Sequence, residues 1–168
     1  MKKEDAITNP FLSFGLGAEL FAFDFSKVIT ILDRNLVTKL HFSHQYLVGK
    51  INLDGCNLPV VDLRKKLNIV PTNVGNETGI LVLKLDNSGE QKDVGILVDF
   101  IKDIIEFNPS NIYPAPDHGS LYESGIVNGM GKFLKNYYLL LNINKLLTTG
   151  DVEFFNEIIS SKELEYAC

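Results

Sequence analysis

The sequence is short of the residues that most chemistry needs. Its 168 residues include no tryptophan, two cysteines, two methionines and three histidines. Cys56 and Cys168 are far apart, which argues against a disulfide framework and for a reduced, cytoplasmic chain. No uninterrupted apolar run approaches the ~20 residues of a membrane span, so direct membrane insertion is not expected. The start MKKEDAITNP has no apolar segment behind it and does not read as a secretory signal. Without such a signal, the glycosylation-type triplet Asn76-Glu77-Thr78 reads as chance. Positive charge is also scarce. The net charge is -5, which excludes the basic footprint of a nucleic-acid binder.

Reactive constellations are missing too. His41 and His44 lie near Asp33 but have no third ligand at a recognisable spacing, so no metal site is expected. His118 beside Asp117 reads as a solvated loop residue. Gly15-Leu16-Gly17 and Gly129-Met130-Gly131-Lys132 lack a phosphate-loop frame and read as turns. Cys56 has no base nearby in sequence and reads as a half-buried small hydrophobe, and no serine sits in a nucleophile-elbow frame. No catalytic residue and no cofactor are expected.

What is present is strand after strand. Phe21, Phe23 and Phe25 alternate with Ala22, Asp24 and Ser26, a period of two that puts three rings on one face. Val28, Ile29, Ile31 and Leu32 extend the apolar pattern, and Ser43 to Tyr46 could form one helical turn. Ile51 and Leu53 lead into Asp54-Gly55, a strong turn signal. Leu58 to Val61 return, with Pro59 suggesting an edge or a bulge, and Asp62 caps a short turn over Leu63 to Leu67. Further strands are expected at Ile80 to Leu85, Val94 to Phe100, Gly125 to Val127 and Tyr137 to Ile143. A C-terminal helix starting at Asp151 would bury Val152, Phe155 and Ile159 and form a lid over one barrel. The run Arg64-Lys65-Lys66 reads first as a structural ion pair and second as a partner contact.

Two segments echo each other. Phe23 to Lys27 resembles Val98 to Lys102, an offset of 75 (23 to 98). Val60 to Leu67 resembles Leu140 to Leu147, an offset of 80 (60 to 140). Two copies of a small β unit sharing one apolar seam would account for both.

Gly49-Lys50-Ile51-Asn52-Leu53-Asp54-Gly55, followed by Leu58-Pro59-Val60-Val61-Asp62-Leu63-Arg64, resembles the central signature of the CheW-like domains, adaptors of bacterial chemotaxis. The opening strands from Phe11, the stretch Val94 to Asp99, the loop Ile112 to Pro116 and the close Leu140 to Leu147 extend the resemblance over residues 10 to 148. It implies a mainly β protein of two SH3-like five-stranded barrels around a shared core, with short helical turns and a C-terminal helix. The expected layout is one domain over residues 10–160 behind a loose N-terminus of residues 1–9.

The resemblance also implies no enzymatic activity. Such an adaptor couples membrane chemoreceptors to the histidine kinase CheA. It binds the kinase's regulatory domain barrel to barrel, and takes the tip of the receptor's cytoplasmic hairpin in the groove between barrels. It works in the cytoplasm, recruited to receptor arrays. The other reading is an interaction module of a different two-component pathway. Carried over by position, the receptor-side candidates are Val28, Thr30, Ile31, Gly49, Asp54 and Ile101, while the kinase-side residues stay unassigned. Two of them depart from the family pattern: Thr30 stands where Glu is frequent, and Asp54 where the signature has Arg.

Overall fold

The computed structural model describes residues 9–40, 45–70, 78–87, 89–115 and 125–163. The strands are β1 (Phe11–Leu16), β2 (Glu19–Asp24), β3 (Val28–Asp33), β4 (Thr38–Lys39), β5 (Leu47–Leu53) and β6 (Cys56–Asp62) in the first half. The second half supplies β7 (Gly79–Asn87), β8 (Glu90–Val98), β9 (Phe100–Ile105), β10 (Ile112–Pro114), β11 (Val127–Phe133) and β12 (Asn136–Leu141). Two one-turn helices, α1 (Leu63–Lys66) and α2 (Ile143–Leu146), close the halves, and α3 (Thr149–Glu163) follows.

Two curled sheets result. One runs β10-β11-β12-β2-β1-β9 and the other β4-β5-β6-β8-β7-β3. The orders match strand for strand if β1 to β6 are taken as one copy and β7 to β12 as the other. The copies exchange their first hairpins. β1 and β2 join the sheet of the second half, and β7 and β8 that of the first. The exchange is sealed by two parallel pairings, β12 with β2 (Leu140↔Ala22) and β6 with β8 (Val60↔Gly95). The six-stranded sheets and the five-stranded expectation differ only by a short edge strand in each, β4 of two residues and β10 of three.

Exchange buries the central strands on both faces. Along β2, Phe21 and Phe23 enter a large cluster shared by the two sheets, while Ala22 enters a smaller one inside the first sheet. Along β7, Leu81, Leu83 and Leu85 enter the shared cluster, while Ile80 and Val82 enter the second sheet's own. The pleat thus feeds two cores at once from one strand. Phe14 stacks on Phe21 and Phe23 in the shared core, with centroids 5.9 and 5.0 Å apart. α3 lies against β5, β6, β7 and β8, burying Val152, Phe155 and Ile159 as the helical spacing requires. It begins two residues earlier than Asp151 suggests. Asp151 accepts from the Thr148 N–H at 2.9 Å while the Thr148 hydroxyl accepts from the Asp151 N–H at 3.0 Å, a reciprocal cap.

Several expectations need correction. Phe25 leaves the ring face, because Asp24 caps a 3-10 turn over Phe25–Lys27 and turns that ring outward to 37% exposure. Gly129 to Lys132 is strand β11, not a turn. A Cβ on Gly131 would sit 2.6 Å from the Phe107 ring, so the glycine serves close packing. Pro59 lies in an interior strand, where the β8 ladder begins only at the next residue, Val60. Val94 to Phe100 is split at Asp99 between two sheets. Cys56 is half-buried, as expected, yet disulfide-bonded rather than a free thiol. His41, His44, His118, Asn76 and Cys168 lie outside the described residues, as does the first half, Ser43 and His44, of the turn suggested over Ser43 to Tyr46.

Candidate functional site

The signature block builds a hairpin and then a lock. Leu53 faces Cys56 across the two-residue turn Asp54-Gly55, with φ of 52° and 86°. Both positive angles suit the right-handed twist of the strands. The Asn52 carboxamide oxygen accepts from the Gly55 N–H at 3.2 Å and so holds the turn.

At the far end of β6, Asp62 caps α1 by accepting from the Arg64 N–H at 3.0 Å. Its carboxylate also takes Nε and Nη2 of Arg64, both at 3.1 Å. Nη1 of Arg64 donates to Oδ1 of Asp99 at 2.8 Å, and Oδ2 of Asp99 accepts from the Gly17 N–H at 2.6 Å. All three side chains are buried. Asp99 stands where the chain crosses from β8 to β9, and Gly17 in the turn between β1 and β2, so the network clamps one sheet to the other. The hydrogen bonds that Arg64 donates to Asp62, then the charges of Asp62 and Asp99, raise the Arg64 pKa against the opposing effect of burial, so it stays charged at any working pH. Arg64 is therefore structural. Lys65 is exposed, and Lys66 sits over the Tyr46 ring, 4.7 Å from its centroid.

The six receptor-side candidates fall in three places. Val28, Thr30 and Ile31 lie on β3, an edge strand. Val28 packs on the shared core and Ile31 is 47% exposed. Ile101 belongs to the other sheet, yet its Cδ1 lies 2.9 Å from the Cβ position of Gly79, which pairs with Asp33 of β3. That brings Ile101 to the seam beside β3. Gly49 is buried, and a Cβ there would strike the Thr38 carbonyl oxygen of β4, so its part is to let backbone approach backbone.

Asp54 is exposed and lines a cleft of about 450 Å³ with Ile29, Leu53, Cys56, Leu58, Gln91, Lys92 and Asp93. Ile29 is the residue that sequence reasoning missed. Val28 pairs with Leu83 and Thr30 with Val82, so Ile29 is an extra residue in a bulge. Bulges re-aim side chains. The only signal was a strand-like run, Val28 to Leu32, with too little polar alternation for a plain edge.

The arrangement offers surfaces for contact. Among the described residues, no three His, Cys, Asp or Glu stand together as a metal site.

A family model described as CheW-like domain matches residues 10–151. The chemotaxis protein CheW of Klebsiella aerogenes is 29% identical over 157 residues, spanning 94% of this chain and 92% of its own. That of Bacillus subtilis is 31% identical over 104 residues, 62% of this chain and 64% of its own. The crystal structure of the scaffolding protein TtCheW from Thermoanaerobacter tengcongensis superposes with a TM-score of 0.73 at 22% identity. It covers 86% of this chain and 96% of that one, a likeness of fold.

Proposed function

The chain belongs to the CheW-like domain family, and on that premise we propose that it couples chemoreceptors to the histidine kinase CheA. It is a chemotaxis adaptor and not an enzyme. The family match across residues 10–151 carries this reading.

The working unit is one domain over residues 10–160, because hairpin exchange leaves neither sheet complete without strands of both halves. The receptor's hairpin tip docks along β3 and the seam at Ile101, burying the exposed Ile29 and Ile31. Val28, Thr30 and Asp54 border that surface, and Gly49 supports it from beneath. The kinase's regulatory domain docks barrel to barrel elsewhere. Among the described residues no helix is long and apolar enough to cross a membrane. The adaptor then works on the cytoplasmic side, held at the membrane by its receptors.

The test is a pull-down with two baits, a CheA regulatory domain and a receptor cytoplasmic hairpin. Capture by both supports the reading, and capture by neither removes it.

A further inference from the structure

The cleft at Asp54 carries an imbalance. Its floor is apolar, made by Ile29, Leu53 and Leu58. Its charged lining is two carboxylates, Asp54 and Asp93, against one lysine, Lys92. Asp93 is half-buried and its Oδ1 has no hydrogen-bond donor. Its cross-strand neighbour is Lys84, yet the described residues show no ion pair between them. Asp54 likewise has no ion pair among the described residues. A half-buried carboxylate without a cationic partner is costly, and a cation brought into the cleft by a ligand would offset that cost.

We propose that this cleft receives a Lys or Arg side chain from the receptor hairpin. The aliphatic stem lies on Ile29, Leu53 and Leu58, and the cationic head sits between Asp54 and Asp93. This rests on the receptor-coupling reading. Arg at the tip, as in the family signature, would repel such a group, so Asp54 reverses the charge selected in the partner. The cleft adjoins β3 through Ile29, which makes it continuous with the proposed receptor surface.

Binding of the full chain to its cognate receptor hairpin and to the CheA regulatory domain, across a salt series, tests the proposal. Asp54→Arg should weaken receptor binding by about tenfold or more and flatten its salt dependence. Asp54→Asn keeps the turn's tolerance of positive φ and should lose roughly threefold to fivefold. Asp93→Asn should fall between the two, and all three should leave the kinase domain's affinity unchanged. Unchanged or tighter receptor binding by Asp54→Arg overturns the proposal while the coupling reading stands. So does a loss confined to the kinase domain. A wild-type chain that binds neither partner removes the coupling reading itself.

Discussion

The two halves of the chain solve the same folding problem with different chemistry. Gly49 and Gly129 occupy equivalent places, 80 apart. Each follows a register shift, at Leu47/Gly49 and at Val127/Gly129, and each would press a Cβ onto a carbonyl of the next strand, Thr38 or Tyr113. Asp62 and Asn142 are likewise equivalent, each capping a one-turn helix through the N–H two residues on. Beyond the caps the halves diverge. The first half places Arg64 after its cap and buries it between two carboxylates. The second places Asn144 there, whose side-chain oxygen accepts from the Asp86 N–H at 3.0 Å. Geometry is thus shared where backbones meet, and charge is concentrated at one junction. That junction is the place where β8 passes into β9 and one sheet hands the chain to the other.

The largest expected contrast lies at this pair. Arg64→Ala strands Asp62 and Asp99 without their cation in a buried site and should cost about 3–5 kcal/mol. Asn144→Ala removes one neutral hydrogen bond at a half-buried site and should cost about 1 kcal/mol. Urea denaturation of both variants measures the gap, and equal losses would break the asymmetry.

Gly49→Ala and Gly129→Ala sharpen the shared part. Both should destabilise by about 1–3 kcal/mol, since each new methyl meets backbone that cannot swing aside. The loss at Gly49 should be the larger, because its Cβ would meet two atoms of Thr38 and Lys39 Cα. If Gly49→Ala folds normally but loses receptor binding, the glycine is a contact residue after all.

The smallest effect is at the hairpin tips. Asp54 and Leu134 are equivalent, with φ of 52° and 56°. Aspartate tolerates that conformation and leucine does not, so Leu134→Gly should gain roughly 1 kcal/mol and Asp54→Gly distinctly less. Thermal melts of the two variants should show a rise only for the first.

Local signals were readable because their causes are local. Asp54-Gly55 needs only its own backbone angles, the Asp62 cap reaches two residues ahead, and the α3 face follows from Val152, Phe155 and Ile159. The echo between halves was visible at Val60 and Leu140 because paired strand and cap repeat as a unit. Long-range causes stayed hidden. Nothing near Asp99 announces Arg64, 35 residues away, or the sheet change they lock. Gly129 and Gly131 look like turn residues until Tyr113 and Phe107 are placed against them. The cleft is out of reach of the sequence for the same reason: Asp54 stands out by its departure from the family signature, whereas Ile29 and Asp93 join it only through a bulge and a distant strand.

We propose that this fold transmits a signal between two other proteins while converting nothing itself. Reconstituting receptor, CheA and this chain and following CheA autophosphorylation tests it most directly. The kinase rate should rise and respond to receptor ligand only when the chain is present. A rate that is indifferent to the chain would contradict it.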